Sequence, residues 1–177
     1  MRWSLSSVLL VAVFGHATVT VEPDSESYHF VKSYQVEISA TPQDVWPHLS
    51  NLRSWMVDFE LSSISGEPGQ TGEVLRLYEG QEFQIQIIAA DPPRLLGIAN
   101  LPLTFQGELS QGVAFMQLVE NDGGTVLSLI MSRRYTWTED GENPLLVTRK
   151  SVVFNENTDA MWIRFLDHLK RLAELPN

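Results

Sequence analysis

The stretch Tyr34-Gln35-Val36-Glu37-Ile38-Ser39-Ala40-Thr41-Pro42-Gln43-Asp44-Val45-Trp46-Pro47-His48-Leu49 changes period halfway along, and that change decides the fold. Up to Ala40 the chain alternates. Tyr28, Phe30, Tyr34, Val36 and Ile38 lie on one side, with His29, Ser33, Gln35, Glu37 and Ser39 on the other. A half-buried strand has this period of two. At Thr41 a helix begins: Thr41 suits the cap, Pro42 lacks only an N–H that the first turn does not use, and Asp44 faces the positive helix end. Pro47 removes a hydrogen bond and disfavours helical backbone at Trp46, which predicts a kink or break there and a second short helix over Asn51 to Met56.

Beyond Asp58 the pattern becomes one of short strands separated by turn residues. Gly66-Glu67-Pro68-Gly69-Gln70-Thr71-Gly72 reads as a loop, and Glu79-Gly80-Gln81 as a tight turn between Glu73 to Tyr78 and Glu82 to Ala90. Asp91-Pro92-Pro93 breaks the next pair. Asn121-Asp122-Gly123-Gly124 is the strongest hairpin signal, because a two-residue turn needs positive φ, and it should join Val113 to Glu120 with Thr125 to Thr138. From Asn155 to Leu175 a stripe of Met161, Trp162, Phe165, Leu166, Leu169, Leu172 and Ala173 opposes Arg164, Asp167, Lys170, Arg171 and Glu174. That is an amphipathic helix, with a cap expected near Asn157 or Thr158. Leu145 to Phe154 is ambiguous between strand, lid and early helix. Strands bracketed by helices indicate an α+β fold.

The residues Ile38 to Trp46 with Leu49, Ser50 and Trp55, followed by Gly66, Gly72 and Asp91-Pro92-Pro93, resemble the START-like and polyketide cyclase/dehydrase superfamily (SRPBCC), which includes lipid-transfer domains. The resemblance covers about Tyr28 to Leu175. It implies a helix-grip fold: a curved antiparallel seven-stranded sheet around a long C-terminal helix, with two short helices after the first strand and a deep, mainly apolar cavity. These motifs mark the fold and say little about chemistry, since the superfamily hosts carriers, cyclases, hydrolases and chaperone activators. Many members carry Asp where this chain has Asn51, a difference that concerns local capping.

Composition narrows the function. The 177 residues include 12 Lys plus Arg against 22 Asp plus Glu, a formal charge of −10, and no Cys. One domain of this size buries roughly 70% of its unfolded surface and needs no disulfide or metal to do so. The negative charge offers little to a phosphate backbone, which argues against nucleic-acid partners. Thiol catalysis and Cys-bound zinc are excluded. Residues 1–17 predict a cleaved secretory signal, with basic Arg2, an apolar run from Leu5 to Phe14, and small Gly15 and Ala17 before the cut. About ten apolar residues are too few to span a bilayer, so no stable membrane insertion is expected. The remaining single domain, residues 28–175, is then exported, to the periplasm or outside the cell.

No Gly-x-Ser-x-Gly motif occurs, and His16, His29, His48 and His168 have no metal-ligand spacing, so neither a serine nucleophile nor a metal or other cofactor is expected. Trp46, Trp55 and Trp162 read as core residues. Along Val126 to Trp137 the odd positions Leu127, Leu129, Met131, Arg133, Tyr135 and Trp137 form the inward face. A guanidinium on that face needs a partner. It could be an acidic group on a ligand, or Glu108 or Glu120 in a fixed pair, unless a bulge turns Arg133 outward. The leading expectation is an exported carrier for a small hydrophobic ligand, contacted by Arg133, Tyr135, Trp137, Tyr78 and Met131. The alternatives are a cyclase/dehydratase-type enzyme using the same cavity, in which Tyr78, Tyr135 and Arg133 move protons, and a ligand-free interaction module. The sequence favours a non-enzymatic role.

Overall fold

The computed structural model describes residues 16–20, 27–78, 82–105, 108–137 and 144–175. The side chains of residues 16–20, 27, 28, 30, 103–105, 108, 109, 135–137 and 144–156 lie outside that description. Among the described residues the elements are β1 (His16–Thr20), β2 (Ser27–Ile38), α1 (Pro42–Ser50), α2 (Leu52–Trp55), β3 (Glu60–Ser65), β4 (Val74–Tyr78), β5 (Glu82–Asp91), β6 (Leu95–Phe105), β7 (Glu108–Asn121), β8 (Gly124–Trp137) and α3 (Pro144–Ala173). The strands form one antiparallel sheet in the order β1-β2-β8-β7-β6-β5-β4-β3. Strands β3 to β8 run as a meander, and β2 pairs with the last of them. The segment α1–α2 therefore carries the chain from one end of the sheet to the other.

The seven expected strands are β2 to β8, and β1 adds an eighth at the edge of β2. Of the predicted signal segment, residues 1–15 lie outside the described residues, and His16 and Ala17 belong to β1. No described helix is long and apolar enough to cross a membrane, a statement that does not bear on membrane-spanning strands.

The β7–β8 hairpin forms as expected: Asp122 and Gly123 have φ of 46° and 82°, the double positive φ that matches strand twist in a two-residue turn. Residues 79–81, read as a tight turn, lie outside the described residues. Two helical expectations need correction. Helix α1 runs through Pro47 to Ser50 without the break that was one of the two expected outcomes there, while the second short helix forms within the expected bounds as α2. The carbonyl that Pro47 leaves unbonded belongs to Gln43, and both residues are exposed, so water can replace the missing donor. The last carbonyls of α1 find other donors, from Ser50 Oγ to Trp46 (2.9 Å) and from Trp55 Nε1 to Leu49 (3.0 Å). Asn51 joins α1 to α2 and makes no side-chain capping bond.

Helix α3 is the second correction, because it starts at Pro144 and places Asn157 and Thr158 in mid-helix. Val147, Thr148, Val152 and Val153 lower helix propensity in its early turns, which hid them from a reading of periodicity. The C-terminal half follows the expected stripe: Trp162, Phe165, Leu166, Leu169 and Ala173 are buried. It packs on β2, α1 and α2. Trp162 and Phe165 meet Trp55 at ring separations of 6.4 and 6.0 Å, so the aromatic cluster joins α3 to α2. Trp46 is only partly buried and packs at the margin of the same core.

The inner face of the sheet is a set of cross-strand rows. One row joins Leu96, Met116, Leu129 and Tyr34; the next joins Ile87, Ile98, Ala114, Met131 and Lys32. Every member of both rows is buried. Apart from Lys32, both rows belong to the hydrophobic core that also takes in the buried face of α3.

Candidate functional site

Lys32 occupies an even position of β2, in phase with Tyr34, Val36 and Ile38. Its parity therefore sends it inward, and its neighbours along the row are all apolar. The side chain is 2% exposed. A buried ammonium needs a counter-ion, and Asp159 of α3 supplies one at 2.7 Å, from Nζ to Oδ1. Asp159 reaches this spot because it lies three residues before Trp162 and seven before Leu166, on the apolar stripe of the helix. The Tyr34 hydroxyl, two residues along β2, donates to the same carboxylate oxygen. Two donors from one strand thus converge on one oxygen from the helix above.

The burial of these groups is uneven. Tyr34 is 1% exposed, whereas the Asp159 side chain is 42% exposed. The cation and phenol are sunk in the apolar floor and the carboxylate sits toward water. Burial, then the hydrogen bond to Asp159, then the charge of Asp159 all push the Tyr34 hydroxyl well above its usual range near 10, so it stays protonated and acts as a donor. Trp162 Nε1 donates to Met131 Sδ at 3.1 Å, fixing the indole beside the Lys32 row.

A titration should expose the buried phenol. Below pH 10 the Tyr34 contribution is fully present; above it the unfolded chain releases the proton while the folded state keeps it. Stability then falls as pH rises, by up to about 1.4 kcal/mol per pH unit. Urea midpoints of the protein and of Tyr34→Phe, followed from pH 9 to 11, should diverge in slope. Parallel curves would show that Tyr34 ionises as easily folded as unfolded.

The row beyond Lys32 has a different character. It joins Ile85, Asn100, Gly112 and Arg133, with Phe30 at the last position. Asn100 and Arg133 close over Gly112: a Cβ there would come within 2.7 Å of Asn100 Oδ1 and 3.3 Å of Arg133 Cγ. A larger residue there would have to push the Asn100 amide aside. Asn100 Nδ2 donates to the Ser110 carbonyl at 3.2 Å, beside the register shift in β6.

Of the residues singled out by sequence, Met131 is buried in the floor, and Arg133 is half-buried one inward position further along β8. No bulge interrupts β8 there, since its pairing with β2 and β7 is continuous through Arg133. Tyr135 and Trp137 follow in the same phase, and their side chains lie outside the described residues. Tyr78 does not join them: it is 52% exposed and shares the outer face with Arg76, while Leu75 and Leu77 point inward. Its place at the strand end hid that parity. Glu120 is not the partner of Arg133 either, because it pairs with Thr125 at the other end of β8. Glu108 is four residues from Gly112 along β7, about 13 Å, and its side chain lies outside the described residues.

The second buried ion pair has a structural character. Glu73, 1% exposed, accepts from Arg53 Nη2 at 3.0 Å and from the Gly69 amide at 2.6 Å, tying α2 to the loop before β4. His29 is exposed, with Nε2 2.7 Å from Ser132 Oγ on the outer face, and His48 and His168 are half-buried. Among the described residues no three His, Asp or Glu side chains converge as metal ligands would.

No protein-family model matches the chain, and no curated protein matches it. Solved structures do. Truncated norcoclaurine synthase from Thalictrum flavum is similar over 89% of this chain and 100% of that one, with a TM-score of 0.61 and 16% identity. A protein of unknown function from Staphylococcus aureus is similar over 84% and 96%, with a TM-score of 0.64 and 13% identity. Ara h 8.0201 is similar over 80% and 97%, with a TM-score of 0.54 and 13% identity. These likenesses concern the fold: the chain has the helix-grip architecture, an antiparallel sheet with a long C-terminal helix.

Proposed function

We propose that this helix-grip chain is an exported carrier or binding protein for a small lipophilic molecule, held between the sheet and α3. One observation supports it above the others: a few polar groups, Lys32, Tyr34, Asp159, Asn100 and Arg133, are set into an inner face that is otherwise apolar. Ligand sites have this composition, with apolar walls supplying area and a few placed donors fixing orientation. The fold family commonly binds small hydrophobic ligands. Met131 and Arg133, with Tyr135 and Trp137 next in phase on β8, are the proposed contacts from that strand. Export rests on the reading of residues 1–17, and a periplasmic or secreted location follows from it. Intact mass of the protein from its own host tests the cut after Ala17.

Native mass spectrometry of that same material should show a bound lipophile that leaves on activation. Protein that is bare, and that also fails to take up an added apolar probe, would reject the carrier. Arg133→Met should weaken an acidic lipophile by roughly tenfold and leave a neutral analogue unchanged, as loss of one charge-assisted bond predicts. Equal losses for both would mean that Arg133 supports the fold alone.

A second reading keeps the site and makes it catalytic, as in a cyclase or dehydratase. What favours it is the Lys32–Asp159–Tyr34 cluster, since a protonated phenol and an ammonium on an apolar floor can polarise a carbonyl oxygen. Turnover of a polyketide-like substrate that fails in Tyr34→Phe would support this reading over a carrier.

A further inference from the structure

We propose that Lys32 and Tyr34 form a carboxylate site on the inner face of β2, occupied in this structure by the chain's own Asp159, and that an acidic lipophile binds by taking that carboxylate's place. The inference rests on the carrier reading and names the ligand class, a lipophile ending in a carboxylate.

Three features carry it. The two donors occupy successive inward positions of one strand and meet on a single oxygen, Asp159 Oδ1, so the site is already shown holding a carboxylate. The donors and the acceptor come from different layers. Lys32 and Tyr34 are fixed in a strand that pairs with β8 along its whole length, whereas Asp159 arrives from α3 with its side chain 42% exposed. A carboxylate that can reach water loses less on release than a buried one, because solvent replaces its partners. The Lys32 ammonium is 2% exposed, so a carboxylate that replaces Asp159 keeps an anion beside a charge that water reaches poorly. Finally, the surroundings select the rest of the ligand. The Lys32 row is apolar from Ile87 to Met131, and the next inward position on β8 is Arg133. A charged head beside an alkyl tail matches that sequence of groups, and a neutral head does not displace Asp159. The buried phenol, held protonated, adds a donor that would not be lost at physiological pH.

The test uses decanoate and 1-decanol, alike in their chain and different in charge, with binding followed by the fluorescence of Trp162 and its neighbours. Asp159→Asn removes the internal competitor, and decanoate affinity should rise by about tenfold or more while decanol affinity moves less than twofold. Lys32→Met should lower decanoate affinity by at least tenfold, again sparing decanol. Tyr34→Phe, which keeps the Lys32–Asp159 pair, should lower it severalfold and serves if the Asp159 variant does not fold. Decanoate affinity unchanged or reduced in Asp159→Asn, or unchanged in Tyr34→Phe, with decanol still bound, overturns the proposal and leaves the carrier standing. Failure of both probes to bind the protein and every variant removes the carrier reading and the proposal together.

Discussion

Phe165→Ala is expected to destabilise the protein by about 3–5 kcal/mol, the range for emptying a well-packed aromatic site. Phe165 is 0% exposed. Its ring is ringed in turn by Trp55 at 6.0 Å, Phe59 at 5.9 Å and Trp162 at 5.9 Å, two of them in edge-on geometry. Deleting it removes transfer energy and leaves a void between α2, α3 and the sheet. The neighbours are large, rigid rings that cannot collapse into that void. The control is Arg171→Ala, which should change stability by no more than about 0.5 kcal/mol, since Arg171 is exposed on the opposite face. Lys170, on the same polar stripe, is a poor control. Its ammonium donates to the Glu37 carbonyl of β2 at 2.6 Å and so helps hold the helix to the sheet. Urea midpoints at constant m-value give the comparison. A loss below about 1 kcal/mol for Phe165→Ala would mean that α3 is not seated on the aromatic cluster.

What the sequence makes legible is whatever local period and turn chemistry dictate. The β7–β8 hairpin could be read because only Asp122-Gly123 supplies two positive φ values in a row there. The buried face of α3 could be read because Trp162, Phe165, Leu166 and Leu169 keep helical spacing. The inward parity of Leu127, Leu129 and Met131 was equally plain. The early turns of α3 were not, since the β-branched residues there weaken the helical signal. Pro47 misled for a related reason: its cost depends on whether the orphaned carbonyl sees water, which only the fold reveals.

The polar centre was harder. Sorting β2 into apolar and polar positions assigns Tyr34, Val36 and Ile38 inward and passes over Lys32, although its even number places it with them. A charge out of character with its phase was the available signal, and the same signal on β8 drew attention to Arg133. On α3, Asp159 lies on the apolar stripe and carries the same mark. What no local pattern could supply is that the two marks meet, because Lys32 and Asp159 are 127 residues apart. Their pairing follows from β2 lying beneath α3, which is a property of the whole topology.

That pairing yields the second large expected effect, and its size should depend on which partner is removed. Asp159→Ala leaves the Lys32 ammonium on an apolar floor with its aspartate gone, and the loss of one member of a buried ion pair costs about 3–5 kcal/mol. Because Asp159 stands partly in water, solvent can follow it out and relieve some of the charge, so the lower end, about 3 kcal/mol, is expected. Lys32→Met is different. It removes the desolvated charge itself and places a flexible apolar chain beside Met131, its cross-strand neighbour on β8, while Asp159 keeps the Tyr34 hydroxyl and its own contact with water. The change should lie within about 1 kcal/mol of zero. In the double variant the Asp159→Ala loss should shrink to less than about 1 kcal/mol, since the desolvated ammonium that penalises it is gone. Chemical denaturation of all four proteins closes the cycle, and the interaction energy should be at least about 2 kcal/mol. Equal losses from the two single variants would contradict this account, because they would show that the pair stabilises the fold as a bond in its own right and that the Lys32 charge costs little to bury.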